Sequence, residues 1–323
     1  MVPPHLESAD ARNTFEDLSG VDIAAYNNPY DALIEACHND PVAQIQARYA
    51  THRDTRNGQQ REKLLSPEYE GLILDPILQR LTDPSIEPGY QDPRNCIVFW
   101  ARPPPHIKSL VDRIQQELLK LAPSIWLMPL QNLHLTALEI THSLTAPEIT
   151  SIITALGDSA STSMVDYPYT HRARIIKPTL SYDGAAIALS FLPAAGEGLP
   201  SNSSVPSSSR TREDDNFTYH HLRRDLFNIA QRAGIVVDSR YVVPSSHITL
   251  GRFLTQGDHD SAEKMAGWFS KIEEVNQWLE DEYWPKEGMN EGEWIIGQEM
   301  GLDYRRGTLW YGGGETVKLG KGF

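Results

Sequence analysis

Cysteine is scarce in this chain, with two residues, Cys37 and Cys96, among 323. With no CxxC and no framework spacing they argue against a secreted disulfide scaffold and fit a reducing compartment. Long apolar runs are missing too. No stretch of 18 apolar residues occurs, so no membrane-spanning helix is expected. The opening "MVPPHLESADARNTFEDLSG" has acids and prolines where a signal peptide needs a basic and then an apolar stretch. Positive charge is the third shortage, with 29 Lys and Arg against 43 Asp and Glu, a formal net charge of −14. Between Asp258 and Asp303, thirteen acids face three lysines. Such a surface disfavours long duplex nucleic acid, whose affinity comes from neutralised phosphates, yet leaves room for a small anion in a locally basic pocket. These shortages predict a soluble monomer in the cytoplasm, with the nucleus as the alternative, and no membrane partner.

What is present is ordinary globular composition, 40% hydrophobic and 22% charged, in a chain long enough for a large core. Residues 1–94 read as an N-terminal extension, irregular to about 27 and then helical. Asp40 and Pro41 give a helix start signal before "VAQIQARYATHRDTRNGQQREKLLS". "LILDPILQRL" reads as a helix broken by Pro76, and "TDPSIEPGYQDPRN" as the loop after it. From 95 to 323 the pattern is α+β. "CIVFWA" is a short buried strand, and the next helix carries Ile107, Leu110, Val111, Ile114, Leu118 and Leu121 on one stripe. "LHLTALEI" is strand-like, Pro147 to Leu156 reads as a helix, and "ARIIKPTLSYDGAAIALSFL" reads as two strands turning at Asp183-Gly184. The Ser/Pro/Gly-rich stretch 193–216 is read as a flexible insertion. A helix with Leu222, Leu226, Ile229 and Ala233 follows, then "HITLGRFL", an acidic helix from about 260 to 282, and two strands in "EWIIGQEMGLDYRRGTLWYGGG". Each half thus offers a helix, one His-x-Thr strand, another helix and a strand pair.

The two His-x-Thr segments carry the chemistry. They are His134/Thr136 in "LHLTALEI" and His247/Thr249 in "SHITLGRF". In a strand, residues i and i+2 share a face, so each His projects with its Thr while Leu135 and Ile248 face the packed side. Two imidazoles and two hydroxyls converging on one volume suit a phosphodiester. The hydroxyls donate to non-bridging oxygens, one imidazole takes a proton from the nucleophile, and the other gives one to the leaving oxygen. No metal and no cofactor is required. The alternative is a pair of strand histidines satisfied by their neighbours.

With these motifs the stretch "CIVFWARPPPHIKSLVDRIQQELLKLAPSIWLMPLQNLHLTALEI" resembles the N-terminal half of the 2H phosphoesterases, especially the 2′-5′ RNA ligase-like and cyclic phosphodiesterase branch. Trp126, Pro129, Asn132, His134 and Thr136, and later His247, Thr249 and Arg252, match the recurring positions. The resemblance covers about 95–323. It implies a bilobal fold of two antiparallel sheets with flanking helices, the motifs facing each other across a central cleft. It also implies hydrolysis of a 2′,3′-cyclic phosphate on a nucleotide or short RNA end. RNA 3′-end trimming or 2′-5′ ligation are alternatives within the class. Residues 1–94 have no counterpart in the family core, and the insertion lengthens the spacing between motifs. The rival from another class is a non-catalytic nucleotide- or RNA-end-binding protein.

Beyond the motifs, Arg252 is a candidate phosphate or base contact. It lies five places after His247, so it reaches the cleft only if a bulge or the strand's end, which Gly251 allows, reverses its side. Tyr241 and Trp310 are candidate substrate-stacking aromatics, with Phe253 and Tyr311 as further options. His142 is read as structural. His220-His221 is read as lying on the polar side of its helix, with no zinc-ligand companions.

Overall fold

Residues 16–38, 41–200, 210–286 and 291–323 are described by the structure, a computed structural model. Three helices come first: α1 (Pro29–Ala36), α2 (Pro41–Leu65) and α3 (Pro76–Thr82). The expected Asp40 cap of α2 lies outside the described residues. Pro76 opens α3 rather than breaking a helix. Its fixed φ and missing N–H suit the first helical turn, and the Asp75 carboxylate accepts from the N–H groups of Ile77 and Leu78.

The remainder alternates strands and helices: β1 (Asn95–Ala101), α4 (Pro105–Leu119), β2 (Trp126–Leu127), β3 (Leu135–Leu144), α5 (Ala146–Val165), α6 (Tyr167–Thr170), β4 (Arg174–Tyr182) and β5 (Ala186–Pro193). Then come α7 (Tyr219–Arg232), β6 (Ser246–Arg252), α8 (Ala262–Tyr283), β7 (Trp294–Ile295), β8 (Asp303–Gly307) and β9 (Glu315–Leu319). The helix expected over 147–156 continues to Val165 through a kink at Gly157, whose φ of 71° is the left-handed region glycine tolerates.

The α+β class holds. The strands form a curled antiparallel half-barrel in the order β7-β4-β5-β6-β3-β1-β8-β9, with β2 beside β6. The two sheets expected of a bilobal fold are joined at one seam, where Leu135 of β3 pairs with Ile248 of β6. The sheet is therefore continuous, with β4, β5 and β7 on one side of the seam and β1, β8 and β9 on the other.

Alternation along the strands divides the interior. Ile97 and Phe99 of β1, Leu135 and Ala137 of β3, Ile187 and Leu189 of β5, and Ile248 and Leu250 of β6 join the main core with the helices. Cys96, Val98 and Trp100 point to the concave side and pack with Leu309 in a smaller cluster. The N-terminal helices share the main core. Tyr30, Leu33, Ile45, Tyr49 and Leu64 are buried in it, and α2 packs against β5, β4 and α8.

The ends of the 193–216 segment are anchored, contrary to a wholly flexible insertion, while residues 201–209 lie outside the described set. Asp215, 1% exposed, accepts from Arg174, Arg210 and the Gly196 N–H, because a carboxylate buried that deeply needs such partners. His220 is likewise buried rather than on a polar face. Its ring bonds the Tyr49 hydroxyl at 2.9 Å and the Tyr30 carbonyl at 2.8 Å, tying α7 to α1 and α2.

Candidate active site

The seam sets the site. Because β3 and β6 run antiparallel about Leu135 and Ile248, one step to either side puts His134 opposite Thr249 and Thr136 opposite His247. Directly opposed residues in such a pair lie about 5 Å apart and diagonal ones about 7–8 Å, the spacing expected between His134 and His247. All four side chains line one cleft of about 520 Å³, together with Trp100, Glu139, Arg240, Tyr241, Arg252 and Trp310.

Strand irregularities bring in two further members. Between β1 and β3, Val98 opposes Glu139 while Trp100 opposes Thr136, so three steps along β3 match two along β1. Glu139 thereby joins Thr136 on the cleft side. On β6, Thr249 opposes Ala188 and Gly251 opposes Ile187, leaving Leu250 as the extra residue of a bulge. That bulge returns Arg252 to the side of His247 and Thr249, as the sequence required. Gly251 is needed there because an added Cβ would stand 2.8 Å from the Trp126 carbonyl oxygen.

The two histidines have different surroundings. The His134 ring stacks on Trp100, with centroids 3.7 Å apart and planes 17° from parallel. Its Nδ1 lies 2.7 Å from the Asn132 carbonyl oxygen. A carbonyl only accepts, so Nδ1 carries the proton and Nε2 is the atom left for chemistry. Beneath, Trp100 is flanked by the guanidinium groups of Arg102 and Arg305, 4.8 and 5.2 Å from its ring. The His247 Nδ1 instead meets the Ser245 hydroxyl at 2.9 Å, and Tyr241 lies 6.3 Å away, ring to ring.

Both imidazoles are held uncharged near neutrality. Burial pushes His134 down to about 3, with the nearby charges of Arg102, His247 and Arg305 acting in the same sense, against the favourable Asn132 carbonyl. Burial pushes His247 down to about 4, reinforced by Arg56, Arg223, His52 and Arg252. An anion bound between the rings reverses this, because opposite charge favours the imidazolium.

Of the other sequence candidates, Arg252 and Tyr241 line the cleft beside His247, and Arg252 lies 3.7 Å from the Asp75 carboxylate. Trp310 also lines it, but the guanidinium groups of Arg240 and Arg94 already sit 4.0 and 4.2 Å from its ring centre. Phe253 is buried in the core, and the Tyr311 hydroxyl donates to Asp75.

Several site residues escaped the sequence reading. Arg240 forms a charge-assisted pair with Glu139 at 2.6 Å on the cleft wall. Arg223, 1% exposed, borders a small cavity beside Thr136 and His247. It donates to the carbonyls of Val243 and Tyr241 and to the Tyr30 hydroxyl, with no carboxylate partner among the described residues. His52, Arg53 and Arg56 of α2 approach His247 from the far side. Trp100 alone had a signal, since strand alternation in "CIVFWA" puts it on one face with Val98 and Cys96. The arginines lay in stretches that read as polar helix or loop. Among the described residues no helix is long and apolar enough to cross a membrane. No protein-family model matches this chain and no curated protein matches it.

Proposed function

We propose that this protein is a 2H-type phosphodiesterase that opens a 2′,3′-cyclic phosphate on a nucleotide or short RNA end without a metal ion. One observation carries the reading: His134/Thr136 and His247/Thr249 meet across the β3–β6 seam, each imidazole opposite the other motif's hydroxyl, in a single cleft.

In the reaction, water attacks phosphorus in line with the leaving ribose oxygen. His247 Nε2 takes the water proton as the new P–O bond forms. His134 gives a proton from Nε2 to the ribose oxygen as the old P–O bond breaks. The Asn132 carbonyl on Nδ1 favours the imidazolium at His134, and a bound phosphate raises both rings from the low values set by burial and the neighbouring arginines. Thr136 and Thr249 donate to the non-bridging oxygens, where negative charge grows in the transition state. Arg252 supplies positive charge beside His247.

The test is turnover of the four nucleoside 2′,3′-cyclic monophosphates with EDTA present, wild type beside His134→Ala and His247→Ala. Turnover that survives EDTA and falls about a hundredfold or more in both variants is expected, the size of a lost acid–base contribution. Unchanged activity in both variants would rule out the mechanism. Nucleotide binding without turnover at any pH would make the protein a binding module instead.

A further inference from the structure

The His–Thr cleft does not end at His247. Tyr241, His247, Thr249 and Arg252 border both this cleft and a second chamber beside it. Its far wall is α2, through His52, Arg53 and Arg56. The β4–β5 hairpin forms another wall, with Tyr182, Asp183 and Ser190. The wall provided by α2 belongs to residues 1–94, which the resemblance leaves without a counterpart.

The chemistry of this wall is anionic in preference. In a chain of net charge −14, the chamber lining holds three arginines; Arg53 pairs with Asp54 and Arg252 faces Asp75, both outside the lining, while Glu16 and Asp183 are the lining's own acids. Arg56 commits one arm to Asp183, Nη2 to Oδ2 at 2.7 Å, and its other nitrogens bond no described residue. Asp183 Oδ1 is separately engaged by the N–H groups of Ala185 and Ala186, so the carboxylate does not depend on Arg56 alone. His52 is a preset donor. Its Nδ1 accepts the Leu18 N–H at 3.0 Å, which leaves the proton of the neutral ring on Nε2. That side chain is 5% exposed and its Nε2 has no hydrogen-bond partner among the described residues.

We propose that the second chamber is a phosphate subsite. It takes a further phosphate carried by the nucleotide whose ester is opened, with Arg56 as ion-pair partner and the His52 Nε2–H as hydrogen-bond donor. The inference rests on the phosphodiesterase reading for the identity of the substrate. The substrate class is then a nucleoside 2′,3′-cyclic phosphate bearing a 5′-phosphate, in preference to the same compound with a free 5′-hydroxyl.

The experiment compares kcat/KM for adenosine 2′,3′-cyclic phosphate with and without a 5′-phosphate. In the wild type the 5′-phosphorylated compound is favoured by about tenfold or more, the size of one charge-assisted contact. Arg56→Ala brings the ratio close to one. Asp183→Asn, which keeps an acceptor for the hairpin N–H groups while releasing Arg56, raises it. A wild-type ratio near one, or a ratio that Arg56→Ala leaves intact, overturns the subsite. Calorimetric binding of adenosine 5′-monophosphate separates this from the catalytic reading, because it needs no turnover. If neither cyclic compound is hydrolysed, the phosphodiesterase reading fails. The subsite then stands if Arg56→Ala weakens that binding about tenfold, and falls if the affinity is unchanged.

Discussion

The two His-x-Thr strands are alike in sequence and meet in near-symmetric register, yet they sit in unlike halves of the cleft. His134 rests on a tryptophan and bonds a backbone carbonyl. His247 leans on a serine hydroxyl and faces arginines contributed by α2, α7 and its own strand. A duplicated motif thus gives two copies of the same reactive groups, and the surroundings differentiate them. The Asn132 carbonyl favours the charged ring at His134 alone, while arginines favour the neutral ring in both halves, Arg102 and Arg305 at His134 and Arg56, Arg223 and Arg252 at His247.

The strongest way to break this comparison is to remove one imidazole at a time. Each of His134→Ala and His247→Ala lowers kcat by about a hundredfold or more, but the pH profiles of the residual activity differ. Losing the base removes the acid limb, and losing the acid removes the alkaline limb. His247→Ala is expected to lose the acid limb and His134→Ala the alkaline one; the opposite pattern reverses the assignment. In the wild type, kcat/KM reports the free protein, in which burial pushes His134 and His247 down to about 3 and about 4. The protonated fraction of His134 falls as pH rises through its value, so the kcat/KM optimum lies well below the usual 6.5 of histidine. A bound phosphate raises that value, so the alkaline limb of kcat lies at higher pH than that of kcat/KM.

Next in size are the hydroxyls. Thr136→Val and Thr249→Val keep the shape and remove one donor each, lowering kcat by about a hundredfold with little change in KM, as expected of donors to growing charge. An effect confined to KM would make them ground-state binders. Gly251→Ala acts through the backbone, where a Cβ meets the Trp126 carbonyl and disturbs the bulge that aims Arg252. A loss of about 1–3 kcal/mol in denaturant unfolding is expected. The smallest effect sharpens the His247 half alone: Ser245→Ala removes the hydroxyl on Nδ1 and lowers kcat by a few-fold, whereas an unaltered rate would mean that the ring is oriented by packing.

The sequence made the strands of this site legible because their alternation is undisturbed where it matters. Leu135 and Ile248 each separate a histidine from a threonine and each are buried, which is the signature of a half-buried strand. The apolar stripe on α4 was equally plain, although Leu121 falls beyond the helix and is exposed. Other features depend on long-range contacts that local patterns do not encode. The charged residues around His220 and Arg223 spell a solvated helix face, yet Tyr30 and Tyr49, far earlier in the chain, cover them. The edge strand β9, "ETVKL", has too little apolar content to stand out and is held by pairing with β8. The second chamber depends on α2 meeting the β4–β5 hairpin more than 120 residues away, a meeting no spacing rule announces.

That last packing also bears on how the protein is made. Helices α1 and α2 bury Tyr30, Ile45 and Tyr49 against β5 and α7. At about 5–20 residues per second of synthesis, the ribosome releases those apolar faces on the order of ten seconds or more before their partners exist. The N-terminal segment is therefore a client waiting for its binding surface during translation. The chamber wall closes only once the β4–β5 hairpin against which α2 packs has been synthesised.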